Sequence, residues 1–224
     1  MTKTYPVLIL FISVCLLLRD TSSVCAQGGL FEPVTPSTKA AIRRGLEFLK
    51  SQQNKNGSFG SGYQIAATSL AGLAFLGYGN TYNRGEFSEQ VKKTLNYILS
   101  CQDKWGYIDD NQCRMHGHGY ATLFLAEVYG SLPPEYEKRV KRALILATDV
   151  IRKSQSNDGG WYYYPSHAAY FNNSDEGSVT ITQVQALRAA RNVGINVPKD
   201  VIERGKLYVK KCMGPNGCRY TIKG

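Results

Sequence analysis

Apolar residues along this chain fall into two kinds of segment. In the first kind they recur at helical spacing: Ile42, Leu46 and Leu49; Val91, Leu95 and Ile98; Val140, Leu144, Ala147 and Ile151. That is the stripe of an amphipathic helix with one buried face. In the second kind the residues are small and apolar nearly all round, as from Ala66 to Leu76, which predicts a helix buried on most sides. Leu70, Leu123 and Leu187 align within these segments. Each is followed seven residues later by a glycine, Gly77, Gly130 or Gly194, placed to end its helix in the left-handed region. Thr35-Pro36 and Val197-Pro198 put proline near helix starts, where its missing N–H costs nothing. The two kinds alternate, so the pattern predicts an all-α fold of helix pairs, with amphipathic helices outside and apolar helices inside.

A second regularity links the pairs. Arg44-Gly45-x-x-Phe48-Leu49-x-x-x-Gln53-x-x-x-Gly57-x-Phe59 returns as Ala147-x-x-Val150-Ile151-x-x-x-Gln155-x-x-x-Gly159-x-Trp161. Between them, Tyr97-Ile98-x-x-x-Gln102 leads through a shorter loop to Trp105. A fourth copy, Arg204-Gly205-x-x-Tyr208-Val209, carries Met213 in place of the glutamine and Arg219 in place of the aromatic. The unit recurs roughly every fifty residues, the signature of stacked helix pairs. A helix end leaves carbonyls without partners, and a glutamine there can bridge them to the following loop. The glycine permits a tight turn and the aromatic packs back over the helix end. Gln53, Phe59, Gln102, Trp105, Gln155 and Trp161 are therefore read as structural staples of the repeat.

At these residues the chain resembles the prenyltransferase and squalene-oxidocyclase repeat family. The resemblance covers residues 36–224 and implies an α/α toroid, incomplete here at about three and a half repeats. The segments His118-Gly119-Tyr120-Ala121-Thr122-Leu123 and Ser178-Val179-Thr180, with Ala186 to Arg191, are similar to exported bacterial, planctomycete-like members without an assigned reaction.

The N-terminus agrees with export. Lys3, the apolar run from Val7 to Leu18 broken only by Ser13, and Val24-Cys25-Ala26 have the layout of a signal peptide, residues 1–26. Residues 27–35 then form a linker, and no later stretch is apolar enough to span a membrane. The expected location is the periplasm or the extracellular space. A hydrophobic fraction of 43% and a charged fraction of 20% are ordinary for a globular domain. The net charge of +10 is spread as pairs, such as Lys92-Lys93 and Lys141-Arg142, over helices that also carry apolar stripes. This is the pattern of solvated outer faces, and no nucleic-acid partner is expected.

Beyond the leader the cysteines are Cys101, Cys113, Cys212 and Cys218. An even number in an exported chain favours disulfides over zinc. Cys101 precedes Gln102 and Cys212 precedes Met213, so the two hold the same repeat position. Local bridges Cys101–Cys113 and Cys212–Cys218 are the economical expectation.

The resemblance implies two chemistries to look for. Squalene-type cyclases carry an acidic D-x-D-D-T-A segment before an inner helix. Asp175-Glu176-Gly177-Ser178-Val179-Thr180 occupies that location without the pattern, and Asp109-Asp110 precedes another inner helix with Tyr107 where the leading aspartate belongs. Asp175, Glu176, Asp109 and Asp110 are thus candidate acids, although acids before helices equally serve as caps. Protein prenyltransferases hold zinc through Asp, Cys and His. Asp110, Cys113, His116 and His118 offer those ligand types, but histidines two apart do not share a helix face, so neither metal nor cofactor is expected. The thioester motif of related toroids is absent. The run Trp161-Tyr162-Tyr163-Tyr164-Pro165, with His167, Tyr170 and Phe171, is the richest surface feature, suited to an apolar cavity mouth or to a glycan. His118, Tyr120, Trp161, Tyr163 and His167 are the candidate binding residues. Two functional readings follow. One is a cell-envelope binding or scaffold protein whose partner is a lipid, an isoprenoid or another envelope protein. The other is an isoprenoid cyclase or prenyltransferase-like enzyme using an Asp or Glu acid.

Overall fold

A computed structural model describes residues 34–165, 175–215 and 217–223. The expected signal peptide lies outside the described residues, as does His167. Contacts divide the chain between Arg43 and Arg44. Of the first part, residues 34–43 are described; they begin a helix at Pro36, where the Thr35 hydroxyl accepts the Thr38 amide at 3.1 Å.

The described helices are α1 (Pro36–Gln52), α2 (Gln64–Gly77), α3 (Ser88–Ser100), α4 (Arg114–Tyr129), α5 (Pro134–Lys153), α6 (Gly177–Asn192) and α7 (Lys199–Cys212). A two-residue hairpin, β1 (Met213–Gly214) with β2 (Gly217–Cys218), follows. As the pattern predicts, α2, α4 and α6 pack side by side as an inner layer, and α3, α5 and α7 each lie on the inner helix before them. Small residues let the inner helices come close. A Cβ on Gly72 would stand 2.5 Å from the Phe124 ring, and one on Gly119 would stand 2.7 Å from the Thr182 hydroxyl. The outer helices are built for the surface. In α5, Glu135 and Glu137 occupy the first turn and Arg152 and Lys153 the last, matching the helix dipole at both ends. Among the described residues no helix is long and apolar enough to cross a membrane.

The glutamine does more than bridge its own loop: it ties one outer helix to the next. The Gln53 carboxamide donates to the Gly57 carbonyl at 3.1 Å and to the Gln90 carbonyl on α3 at 3.2 Å. Gln102 repeats this with Gly106 at 3.1 Å and Ala143 on α5 at 3.0 Å. Gln155 repeats it again with Gly159 at 2.9 Å and Val201 on α7 at 2.8 Å. The glycines have two reasons to be glycine. Gly57, Gly106 and Gly159 have φ of +93°, +100° and +93°, and a Cβ on them would stand 2.4, 2.6 and 2.7 Å from the backbone of Lys93, Leu146 and Arg204 on the next outer helix.

The same loops are fastened inward. The amides of Phe59, Ile108 and Trp161 donate to Thr68 Oγ1 at 2.8 Å, His118 Nδ1 at 3.1 Å and Thr180 Oγ1 at 3.1 Å on α2, α4 and α6. Trp161 is fully buried and its indole N–H reaches the Ile151 carbonyl at 2.7 Å. Two sequence expectations are corrected by this register. Trp105 is 66% exposed and staples nothing; Ile108, six residues after Gln102, fills the position held by Phe59 and Trp161. Gly106 is the glycine of that copy. The leucine alignment is also out of step, since equivalence of Thr68, His118 and Thr180 matches Leu70 with Tyr120 and Thr182. Leu70 is 47% exposed, and among the described residues α2 has an inner-layer neighbour, α4, on one side. Of the three aligned glycines, Gly194 has the left-handed φ, +85°, while Gly130 stays right-handed and Gly79 takes the role after α2.

The expected disulfides are corrected as well: Cys101, Cys113, Cys212 and Cys218 are free thiols. Cys113 is buried beneath α2, where its sulfur accepts the Ala66 amide at 3.4 Å, while Cys101 caps the end of α3. In the hairpin the residue opposite Cys218 is Met213. Cys212, the last residue of α7, is buried in the core, while Cys218 on β2 is exposed to solvent.

Replacing Gln155 with alanine strands the Gly159 and Val201 carbonyls and should cost about 1–3 kcal/mol. Trp105→Ala should stay within about 0.5 kcal/mol of the parent. Urea unfolding of both variants checks this, and equal destabilisation would refute the corrected staple.

Candidate functional site

The loop after α5, the first turns of α4 and α6, and the turn after the hairpin meet at one end of the inner layer. Backbone bonds hold them together. Met115 donates to the Tyr163 carbonyl, Glu176 to the Trp161 carbonyl and Gly177 to the Tyr220 carbonyl, each at 2.9 Å. The first turns of helices have amides to spare, and here carbonyls of the adjoining loops take them up.

Side chains gather around Glu176, which is 2% exposed. Its carboxyl accepts hydrogen bonds from the Tyr163 hydroxyl and from Ser178 Oγ, the latter at 2.6 Å. The Tyr163 hydroxyl also meets that of Tyr220, and Ser178 Oγ lies 3.1 Å from His116 Nε2. The Arg114 guanidinium sits 4.5 Å from the Tyr164 ring centre and 5.9 Å from that of Tyr163. Arg114 has a left-handed φ of 54°, which is uncommon outside glycine, and Asp109 Oδ1 accepts its amide at 2.9 Å. Burial, then the bond to Glu176, push the Tyr163 hydroxyl up to about 12, so it remains a proton donor. Burial holds His116 below the usual histidine range, with the Glu176 charge pulling the other way.

The candidate acids divide. Asp110 is a cap: it accepts the Ile65, Gln112 and Cys113 amides, each at 3.0 Å. Burial opposes its ionisation, but those donors outweigh it and hold the carboxyl below the ordinary range. Asp109 caps α4 through Arg114, with burial raising its carboxyl. Asp175 ties the loop after α5 to α7, accepting the Ser156 hydroxyl while its carbonyl accepts the Tyr208 hydroxyl; burial raises it too. Glu176 alone of the four is joined to a cluster of hydroxyls at the rim.

Of the candidate binding residues, Tyr163 belongs to this cluster. His118 and Trp161 do not: both are fully buried, and the two ring nitrogens of His118 are committed to the Ile108 amide and, at 3.1 Å, to the Ala147 carbonyl. Tyr120 is half-buried on α4. Of the four potential zinc ligands, Asp110 accepts amides and, at 3.6 Å, the Cys113 thiol; Cys113 also accepts the Ala66 amide, His116 meets Ser178, and both ring nitrogens of His118 meet backbone. Arg114, Ser178 and Tyr220 were not read as site residues from sequence, and His116 only as a metal ligand. One signal existed. His116 and Ser178 each stand two residues before the loop-fastening His118 and Thr180, so the repeat register puts them side by side.

No family model matches this chain, and no curated protein does. Solved structures do. A polysaccharide lyase superposes with a TM-score of 0.62 at 18% identity, covering 80% of this chain and 57% of its own. A family 105 glycoside hydrolase from C. acetobutylicum ATCC 824 superposes with a TM-score of 0.56 at 13% identity, covering 81% and 60%. The chain therefore has an α/α toroid fold and spans less than two thirds of the length of these neighbours. The narrower resemblance to prenyltransferases and squalene oxidocyclases has no counterpart among them.

His118 makes the stability of this end acid-sensitive. Burial depresses its pKa from 6.5 to about 4, so the unfolded chain takes up a proton where the folded one does not. Its contribution is complete above pH 6.5 and is lost as pH falls towards 4, on the order of 3 kcal/mol in all. His118→Thr, which installs the residue of the two equivalent positions, should flatten that part of the stability–pH curve. An unchanged slope in urea titrations over this range would rule the assignment out.

Proposed function

We propose that the rim around Glu176 binds a glycan, and that the chain is an exported, carbohydrate-binding toroid of the cell envelope. The carrying observation is the combination of half-buried Tyr162, Tyr163 and Tyr164 with Arg114, His116 and a buried, hydroxyl-bonded Glu176. Aromatic faces take up the apolar faces of sugar rings, while fixed carboxyl, hydroxyl and guanidinium groups match their hydroxyls. The named activities of the two fold neighbours, a polysaccharide lyase and a glycoside hydrolase, lend the same direction. The isoprenoid alternative needs an acid facing an apolar chamber, and the apolar groove at Ile181, Val184 and Leu207 is lined by neither Asp175 nor Glu176.

A second reading, cleavage of the bound glycan, is favoured by one contact. A hydroxyl kept protonated beside a buried carboxyl supplies the parts of an acid–base pair.

Native electrophoresis through gels loaded with individual soluble polysaccharides tests the binding reading. At least one should retard the protein, and Tyr164→Ala or Arg114→Ala should each weaken retardation about tenfold. Retardation by none of them, with a lipid co-purifying instead, would sink the glycan proposal. Release of reducing ends, lost in Glu176→Gln, would support cleavage. For export, protein recovered from an envelope or medium fraction should begin at Gln27, and retention of Met1 there would overturn the cleaved-leader expectation.

A further inference from the structure

We propose that Ser178 is the nucleophile of an ester-cleaving site whose substrate is an O-acyl group carried on a glycan; its glycan half rests on the binding reading above. Ser178 is the second residue of α6 and is exposed, so its hydroxyl can be reached from solvent. Two groups converge on that hydroxyl: Glu176 Oε2 at 2.6 Å and His116 Nε2 at 3.1 Å. A hydroxyl has one proton to give, and the shorter contact assigns it to Glu176. His116 then presents its Nε2–H to the same oxygen. Both partners are held in place. The other Glu176 oxygen accepts the Tyr163 hydroxyl, and the His116 ring centre lies 5.6 Å from that of Tyr163. A nucleophile, a base within reach of its proton and a group that orients them are the parts of covalent acyl transfer.

The start of a helix does not require this arrangement. In the repeat register Glu176 and Ser178 correspond to Gln64 and Ala66, and α2 begins with no hydroxyl at that place. The copy on α4 has Arg114 and His116 there, which is how His116 comes to lie beside Ser178. The first turn of α6 also supplies donors for a developing oxyanion. The Gly177 amide is taken by the Tyr220 carbonyl and the Thr180 amide by the Glu176 carbonyl. The amides of Ser178 and Val179, between them, have no acceptor among the described residues.

The chemistry closes with water as the one co-reactant. Ser178 Oγ adds to the ester carbonyl carbon while its proton passes to Glu176 Oε2. The bond from that carbon to the sugar oxygen breaks, and Glu176 returns the proton to the departing oxygen. Water then adds to the acyl-Ser178 carbonyl, giving a proton to Glu176. The Oγ–carbon bond breaks and the proton goes back to Oγ, leaving a free acid and a sugar hydroxyl. His116 acts as a positioning residue, holding Oγ through its N–H.

The intact chain is treated with a biotin-tagged fluorophosphonate, which transfers its phosphoryl group to activated serines, and the label is mapped by fragmentation mass spectrometry. It should fall on Ser178 and be absent from Ser178→Ala at an unchanged urea midpoint. Glu176→Gln should slow labelling at least about a hundredfold. His116→Ala should slow it about tenfold, and His116→Gln, which keeps an N–H donor, should restore part of the rate. The parent should also release acetate from acetylated xylan. A folded parent that takes no label at Ser178, or a Glu176→Gln variant that labels as fast as the parent, overturns the proposal. Labelling at Ser178 with no acetate released and no polysaccharide retarding the chain keeps the nucleophile and removes the glycan. Retardation without labelling keeps the glycan reading and sinks the nucleophile.

Discussion

One carboxamide, repeated, sets the spacing of the outer layer. Each glutamine offers two N–H bonds, and each spends them on two carbonyls that belong to different helix pairs. On Gln53 and Gln155 the carboxamide oxygen is left buried without a hydrogen-bond partner among the described residues. The carboxamide is used here for its two donors. This explains why the position holds glutamine and would not tolerate glutamate, whose oxygens would face two carbonyls. The close backbone approach at Gly57, Gly106 and Gly159 follows from the same bond, because the carbonyl can be reached only when the loop presses against the next helix.

Much of this was legible in the sequence. The stripes on α3 and α5 located the outer helices, the small-residue segments located the inner ones, and the spacing from Gln155 to Trp161 identified the staple. Where the reading failed, it failed for a reason. In the second repeat Trp105 drew attention as an aromatic, although the spacing from Gln102 through Gly106 to Ile108 matches the first repeat residue for residue. His118 looked like chemistry because histidine usually titrates. Its equivalence to Thr68 and Thr180 depends on a hydrogen bond that only the fold reveals. The cysteines defeat the sequence reading because proximity along a loop says nothing about burial: Cys113 is committed to the Ala66 amide and Cys212 to the core, away from Cys101 and the exposed Cys218.

The rim was half legible. Glu176 and Tyr163 are conspicuous acid and aromatic residues, but what distinguishes Glu176 from Asp175 beside it is the set of hydroxyls it meets. Those come from Tyr163 and Ser178, with Tyr220 beyond, on three separate segments. Inner helices that all start at one end bring their first turns together. Residues there are free of the staple, so Arg114, His116 and Ser178 can differ from Gln64 and Ala66 while the architecture stays unchanged. The candidate rim thus lies where the repeat stops repeating.

The glutamine bridge also fixes how far a disturbance can travel. Among the described residues each one couples a pair to its immediate successor: Gln53 reaches α3, Gln102 reaches α5 and Gln155 reaches α7. Such an array behaves as a one-dimensional chain of coupled units. Losing the carboxamide at Gln102 would remove one tie between α3 and α5, and losing it at Gln155 one tie between α5 and α7, while the packing of α2, α4 and α6 still joins the pairs. Position along the array thus decides which neighbours a lost tie leaves less firmly joined.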